Sequence, residues 1–156
     1  MRTQIVTIES ATPDCLGEAL AILSQENLPH DGVEAHLGGF LVARNRGGKI
    51  LGCVGIERHG NLGLLRSAAV LSEYQGQWIG RTLIRELLDR AAKEGVTEVA
   101  LLTTTAKDYF QTKFGFKETE RSRYENRLTN SLEWNLPRCS SATFMTLKLT
   151  PDNARR

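Results

Sequence analysis

The stretch from Val70 to Leu88, VLSEYQGQWIGRTLIRELL, decides the fold. The apolar strand LGLLRSAAV ends at Val70, and apolar residues then recur at the spacing of an amphipathic helix. The turn between them carries Gly76 and Gly80, which let a ligand approach the backbone closely. Amides in the first turn of a helix have no intrahelical acceptor, and the helix dipole makes that end positive. The sequence therefore predicts an anion-binding turn, with Arg81 adding a side-chain charge beside it.

Two widespread phosphate-binding loops do not match this turn. A P-loop ends in Gly-Lys-Ser/Thr, which is absent here. A dinucleotide-binding GxGxxG loop opens a βαβ unit, whereas this turn follows three consecutive strands joined by the tight turns NRGG and RHGN. An ordinary strand-to-helix turn remains the alternative at this point.

The elements around the turn predict a mixed α/β sheet in one domain. The pattern of apolar and turn-forming residues gives the order β-α-(α)-β-β-β-α-β-α-β-(α)-β. The predicted bounds are strands Gln4–Glu9, Phe40–Arg44, Lys49–Glu57, Leu62–Val70 and Val96–Thr104, a helix Ile79–Glu94, a short helix ending at Gly115, and closing strands in FKETE and ATFMTLKL. We expect the domain to cover residues 1–150 and residues 151–156 to be a frayed tail. An exposed last strand predicts pairing into a homodimer.

Composition excludes several classes of protein. The 156 residues are 40% hydrophobic and 24% charged, with a net charge of +2, a balance that argues against nucleic-acid binding. There is no apolar run of about 20 residues and no signal-peptide pattern in MRTQIVTIES, so we expect a cytoplasmic protein that does not bind membranes. Cys15, Cys53 and Cys139 are widely spaced, which predicts free thiols and no metal site.

Three segments together, LLRSAAV, LSEYQGQWIGRTLI and TTTAKDYFQTKFGFKE, resemble the GCN5-related N-acetyltransferase (GNAT) family. The resemblance runs from about Ile5 to Lys117. It implies a mainly antiparallel sheet flanked by helices, in which the fourth and fifth strands splay apart to admit acetyl-CoA. It also implies transfer of an acetyl group from acetyl-CoA to an amine.

The resemblance also assigns cofactor-binding residues. The family's loop, Gln/Arg-x-x-Gly-x-Gly/Ala, places Trp78 in a glycine position. Pyrophosphate binding is then expected from the loop residues Gln75, Gly76, Gln77, Trp78, Ile79, Gly80 and Arg81. Contacts with the rest of acetyl-CoA are expected from Ala69, Val70, Thr104 and Phe110. If φ at Trp78 is negative, its amide donates to phosphate, and we expect the indole to cover the cofactor.

The implied reaction requires a neutral amine, an oxyanion donor and a proton for the leaving thiolate. The Val70 amide is the expected oxyanion donor. In the family a tyrosine four residues before the glycine of GF often protonates the thiolate, and Gln111 occupies that position here. The segment is one residue longer than usual, so a bulge is expected to bring Tyr109 or Phe110 into place, with Tyr109 as the acid. The base is left open between Glu57 and Glu133 acting through water, and His59 is expected to be exposed.

Arg66 is unusual because it interrupts an apolar strand, where an unpaired charge is costly. It could bind a substrate carboxylate in bidentate fashion, and an intramolecular ion pair or an outward-facing position is the alternative. A second, narrower resemblance is to acetyltransferases associated with arsenic resistance, and less closely to N-acetylglutamate synthases. It covers Arg66, Ser67, Thr103–Ala106, Ser131, Glu133, Cys139, Ser141 and Ala142.

This narrower resemblance implies a small amine substrate that is amino-acid-like and acidic, bound by Arg66, Ser67 and Glu133. In its sharpest form the substrate is an arsenic-containing amino acid. A metabolic N-acetylase of the glutamate type, a protein acetyltransferase and a non-catalytic acetyl-CoA-binding module remain the alternatives.

Overall fold

The computed structural model describes residues 5–149. Within this range, seven strands and four helices follow one another in the order that the sequence predicts. Their bounds are β1 Thr7–Ser10, α1 Leu16–Gln25, β2 Phe40–Arg44, β3 Ile50–His59, β4 Leu62–Val70, α2 Ile79–Lys93, β5 Glu98–Thr103, α3 Lys107–Phe114, β6 Lys117–Glu118, α4 Glu125–Leu128 and β7 Thr143–Lys148. Short 3₁₀ turns connect several of these elements.

The strands form one mixed sheet in the order β1-β2-β3-β4-β5-β7-β6. Antiparallel pairing joins β1 to β2, β2 to β3, β5 to β7 and β6 to β7, whereas β4 and β5 are parallel. A parallel pair needs a crossover connection, and the long helix α2 supplies it. The predicted fold class, a mixed and mainly antiparallel sheet flanked by helices, is confirmed.

The parallel ladder between β4 and β5 is short. It pairs Leu62–Leu65 with Glu98–Leu101, although β4 continues to Val70 and β5 to Thr103. Ser67, soon after the last pair, has a φ of 61°. A left-handed residue departs from the extended conformation, so Ser67 is an irregularity within β4, just beyond the registered pairing.

The chain forms two compact units, each with its own apolar core. Among the described residues, the first contains 5–56 and 67–87, and the second contains 57–66 and 88–149. The core of the first unit contains Cys15, Ile22, Leu23, Val33, Phe40, Val42, Ile50, Cys53 and Ala69. The core of the second contains Leu62, Leu64, Ala100, Tyr124, Leu128 and Phe144. Strands β3 and β4 and helix α2 contribute residues to both units, and a single domain over residues 1–150 stays a prediction.

The sequence was accurate for the central elements and less so near the end. The bounds of β2 and β4 are as predicted, and α2 ends one residue earlier than expected. The expectation that the last strand is exposed at an edge of the sheet is wrong. Strand β7 lies between β5 and β6, and β1 and β6 form the two edges of the sheet. The predicted tail, residues 151–156, lies outside the described residues. Between residues 5 and 149, no helix has the length and apolar character that a membrane span requires.

Candidate functional site

The turn between β4 and α2 is held in shape by its own backbone. A single 3₁₀ turn, Ser72–Tyr74, follows the strand, and the Tyr74 amide donates to the Leu71 carbonyl at 2.9 Å. Gly76 then adopts a φ of 82° and Trp78 a φ of 72°. These two left-handed residues reverse the chain and direct it into α2, which begins at Ile79.

The φ of Trp78 is positive, so the condition of a negative φ, under which its amide was predicted to donate to phosphate, is not met. A left-handed conformation costs a residue with a Cβ about 1–2 kcal/mol, which explains why the family pattern has glycine at this position. Here the Trp78 carbonyl accepts hydrogen bonds from the Thr82 amide at 2.9 Å and from the Thr82 hydroxyl at 2.8 Å. These bonds close the first turn of α2 and offset part of the cost. The loop therefore keeps the backbone shape that glycine would give it.

The start of α2 has the properties of an anion site. Because the Thr82 amide makes the first intrahelical bond, the preceding amides of Ile79, Gly80 and Arg81 have no acceptor within the helix. A Cβ placed on Gly80 would lie 3.5 Å from Val70 Cγ2, an ordinary contact. Arg81 Nε is buried and has no hydrogen-bond partner. Such a donor is rare in proteins and is accounted for when a ligand supplies the acceptor.

The side chain of Gln75 holds this turn in place. Its Nε2 donates to the Val70 carbonyl at 2.9 Å and to Glu26 Oε1 at 3.0 Å. Gln25, also at the end of α1, donates from Nε2 to the Ser72 hydroxyl at 3.0 Å. Sequence reasoning placed Gln75 in the loop, and the structure adds that its side chain ties the loop to β4 and α1.

The end of β4 packs tightly against β3. A Cβ on Gly52 would lie 2.8 Å from the Ala69 carbonyl oxygen, so only glycine permits this approach. The Cys53 thiol donates to the carbonyl of the left-handed residue Ser67 at 3.4 Å. Burial raises the pKa of Cys53 to about 12, so this thiol stays protonated. Ala69 is buried and Val70 half-buried.

Helix α3 carries the expected acid, Tyr109, without the expected bulge. The Phe110 amide donates to the Ala106 carbonyl and the Gly115 amide to the Gln111 carbonyl, which is regular helical bonding. Tyr109 therefore stays two residues from Gln111 and, at about 100° per residue, on a different side of the helix. Its ring is partly exposed and packs edge-to-face on Phe110, at 5.4 Å between centroids.

Two further residues assigned to the cofactor lie on or near α3. Phe110 is buried and also packs on Phe116, which gives it a core role. Thr104 is exposed between β5 and α3. Whether either contacts acetyl-CoA stays a prediction.

A buried ionic cluster surrounds Arg66. Arg66 Nη1 lies 2.7 Å from Glu57 Oε2, and both side chains are completely buried. Arg66 Nε lies 3.4 Å from Glu133 Oε2, whose side chain is 7% exposed. The intramolecular ion pair that the sequence left open as the alternative for Arg66 is what the structure shows. The positive charge of the Arg66 guanidinium is therefore already balanced by the carboxylates of Glu57 and Glu133.

His59 and Ser131 complete the cluster. His59 Nε2 lies 3.0 Å from Glu57 Oε1, and the Ser131 hydroxyl also bonds Glu57. The expectation of an exposed His59 is wrong, because its side chain is 10% exposed. Burial alone would raise the pKa of Glu57, but the hydrogen bonds from Ser131, His59 and Arg66 outweigh it and hold the pKa below its ordinary value. The available sequence signal was that Glu57 and His59, two apart in a strand, share one face.

The described part of the chain contains no group of three or more His, Cys, Asp or Glu side chains that could hold a metal ion. All three cysteines are buried and free. In the first unit, the amides and Arg81 at the start of α2 could bind an anion. Within the second unit, the carboxylates around Arg66 are a separate candidate group.

Comparison with known proteins agrees with the fold of the sheet. Residues 36–118, more than half of the chain, match the family model described as an acetyltransferase (GNAT) domain. An uncharacterized N-acetyltransferase of Chlorobaculum tepidum is 33% identical over 94 residues, which cover 60% of this chain and 59% of the relative. The chain thus spans less than two thirds of that relative's length.

Solved structures show the same fold at low sequence identity. Rv2747 of Mycobacterium tuberculosis, solved with CoA, has a TM-score of 0.77 and 19% identity, over 92% of this chain and 99% of the other. N-acetylglutamate synthase of Neisseria gonorrhoeae, solved with coenzyme A and N-acetyl-glutamate, has a TM-score of 0.75 and 17% identity, over 96% of this chain and 36% of the other. YhbS of Escherichia coli, also solved with CoA, has a TM-score of 0.69 and 22% identity, over 99% of this chain and 87% of the other. The chain belongs to the GNAT acetyltransferase family.

Proposed function

We propose that the protein is an acetyl-CoA-dependent N-acetyltransferase that acts on the amine of a small molecule. The observation that carries the proposal is the turn Gln75–Arg81, where two left-handed residues lead into the free amides of α2 and the buried, unpartnered Nε of Arg81. An anion with several acceptor oxygens fits this arrangement. Family membership and the CoA-bound structures of the same fold support the pyrophosphate of coenzyme A as that anion.

The chemistry follows from the thioester. The substrate nitrogen attacks the acetyl carbonyl, a C–N bond forms, and the C–S bond breaks as the thiolate leaves. The proton lost by the amine nitrogen is balanced by the proton gained by the thiolate sulfur. We assign stabilisation of the oxyanion to the Val70 amide. We assign the role of acid to the Tyr109 hydroxyl, which is partly exposed and gives its proton to the thiolate.

The contacts of Arg66 limit which substrate groups it can bind. With Glu57 at 2.7 Å and Glu133 at 3.4 Å, a third carboxylate at this guanidinium would face two buried negative charges. We therefore assign Arg66 the role of holding Glu133 in place, rather than that of a carboxylate receptor. Glu133 and Ser67 remain the proposed substrate contacts, and they suit the amino group of the substrate.

The amine is proposed to be amino-acid-like. Glutamate is one candidate, because a protein of the same fold was solved with N-acetyl-glutamate, and an arsenic-containing amino acid is another, on resemblance alone. The test measures release of the CoA thiol from acetyl-CoA with amino acids, arsenic-bearing analogues, polyamines and peptides in turn. We expect release with at least one free amino compound. Transfer to peptides alone would indicate protein acetylation, and tight acetyl-CoA binding without release would indicate a non-catalytic module.

A matched pair of variants tests the cofactor site. Gly80 and Gly17 are each the second residue of a helix, and a Cβ meets no close contact at either. Gly80→Asp puts a carboxylate among the α2 amides, so we expect acetyl-CoA affinity to fall more than tenfold while the melting temperature is retained. Gly17→Asp adds the same charge at the start of α1 and should bind acetyl-CoA as the wild type does. Equal affinities in the two variants would contradict the assignment.

A further inference from the structure

Trp78 is an exposed aromatic residue in an uncommon position. It immediately precedes α2, and 65% of its surface is exposed. The guanidinium carbon of Arg81 lies 4.8 Å from the centre of the indole. A cation at this distance over the ring face is attracted to it. Arg81 thus lies over one face of the indole, and the high exposure of the residue leaves ring surface open to a ligand.

Arg81 links this stacked pair to the anion site. Its Nε is buried and has no hydrogen-bond partner, and its own amide is among those at the start of α2 that lack an intrahelical acceptor. A buried donor of this kind is stabilised when an anionic oxygen accepts its hydrogen bond. The same side chain can therefore hold a phosphate oxygen and fix the plane of the indole.

From this geometry we infer that the free face of Trp78 is a stacking platform for the adenine base of coenzyme A. The inference rests on the proposed function, which puts the pyrophosphate at the neighbouring amides of Ile79 and Gly80. The ligand that satisfies both features has an anion and a flat aromatic ring in one molecule, and the adenosine end of coenzyme A has both. Every base presents a π-face, and stacking on an aromatic side chain contributes substantially to binding.

The sequence supplies a clean spectroscopic probe. Trp78 and Trp134 are the two tryptophans of the chain, and Trp134 is half-buried against Phe144. Trp134→Phe therefore leaves Trp78 as the single tryptophan fluorophore. We expect CoA to quench this fluorescence, and 4′-phosphopantetheine, which lacks the adenosine, to quench it little. Equal quenching by both ligands would contradict base stacking.

Affinity measurements separate stacking from loop shape. Trp78→Gly removes the indole and suits a φ of 72°, so we expect an unchanged or higher melting temperature. Its affinity for CoA should fall about 5- to 100-fold, the range for loss of one stacked base, whereas its affinity for 4′-phosphopantetheine should stay within about twofold. Trp78→Phe should recover most of the CoA affinity, because its ring also stacks.

Besides equal quenching, three results would overturn the inference. The first is an unchanged CoA affinity in Trp78→Gly. The second is an equal loss of affinity for CoA and for 4′-phosphopantetheine in that variant, which would indicate a distorted loop. The third is self-association of the wild-type protein through the indole at assay concentrations. It would appear as a sedimentation coefficient that depends on concentration in the wild type but not in Trp78→Gly. A wild-type protein that binds no CoA at all would refute the proposed function and the platform together, whereas failure of Trp78→Gly alone leaves the proposed function intact.

Discussion

Replacing Arg66 by leucine tests the energetics of the buried ionic cluster. The guanidinium is completely buried between Glu57, also completely buried, and Glu133, which is 7% exposed. Removing it leaves two buried carboxylates without their shared cation. Two charges about 4 Å apart interact by roughly 4 kcal/mol at an effective dielectric constant of about 20, and breaking a buried pair typically costs about 3–5 kcal/mol. We therefore expect Arg66→Leu to lower the free energy of unfolding by about 3–5 kcal/mol.

The control for this prediction lies on the neighbouring strand. Arg58 forms an ion pair with Glu94, and both side chains are well exposed. An exposed pair contributes about 0–1 kcal/mol, so Arg58→Leu should have a small effect. Urea unfolding monitored by circular dichroism measures both, and an unchanged m-value shows that the midpoints can be compared. The reasoning fails if Arg66→Leu costs no more than Arg58→Leu.

The pH dependence gives this prediction a second readout. In the wild type the pKa of Glu57 lies below its ordinary value of 4.5. Its contribution to stability is therefore complete above that value and is lost as the pH falls through the lower, folded-state pKa. In Arg66→Leu no guanidinium offsets the effect of burial, so the pKa of Glu57 rises. Protonation of Glu57 at acid pH then removes the buried charge and reduces the destabilisation of the variant. We expect the stability gap to be largest near pH 7 and to narrow toward pH 4; a gap independent of pH would show that lost packing dominates.

Three further predictions concern single residues of the first unit. Ser67→Gly removes the Cβ from a residue with a φ of 61° and should raise the free energy of unfolding by up to about 1 kcal/mol, seen as a higher melting temperature; a lower one would mean that the serine side chain stabilises more than its backbone costs. Gln75→Ala removes bonds to Val70 and Glu26 and should raise KM for acetyl-CoA about three- to tenfold at nearly constant kcat; a change in kcat alone would remove Gln75 from positioning the loop. Cys53, with a pKa of about 12, should resist iodoacetamide at pH 8 in the folded protein and react after unfolding, and rapid labelling of the native protein would refute its burial.

The central part of the fold follows directly from the sequence. The strand Leu62–Val70 was predicted with the bounds it has, because an apolar run ends in residues that reverse the chain. The helix that follows was predicted almost to the residue by its apolar spacing. The position of β7 was not predictable, because a closing strand can pair at an edge or insert between two others, and local sequence does not distinguish these registers.

The ionic cluster shows where sequence reasoning ends. Arg66 stood out because an unpaired arginine in an apolar strand is costly, and this correctly indicated a partner. Its two partners differ in kind: Glu57 is nine residues away across a tight turn, but Glu133 is 67 residues away in a loop. A distant loop residue meets the strand only through the tertiary fold, which no spacing in the sequence encodes.

Trp78 shows how a local rule can point in the wrong direction. Residues other than glycine usually avoid a positive φ, and donation by the Trp78 amide was predicted only for a negative value. The observed φ of 72° depends on the closure of the loop and on Thr82, whose amide and hydroxyl both bond the Trp78 carbonyl. These contacts form only when the helix starts at Ile79.

The distribution of backbone strain argues that the segment around the end of β4 is shaped for binding rather than for stability. Among the described residues, three other than glycine have a positive φ, namely Asn27, Ser67 and Trp78. Asparagine tolerates this conformation well, but serine and tryptophan do not, and both lie between the middle of β4 and the start of α2. Glycine at either position would give the same backbone at lower cost. Strain that glycine could relieve is expected where a side chain has a second task, and for Trp78 that task is proposed to be stacking on the base of the cofactor. A variant with glycine at both positions should therefore be more stable than the wild type and bind coenzyme A more weakly, and a gain in both properties would show that the strain has no functional role.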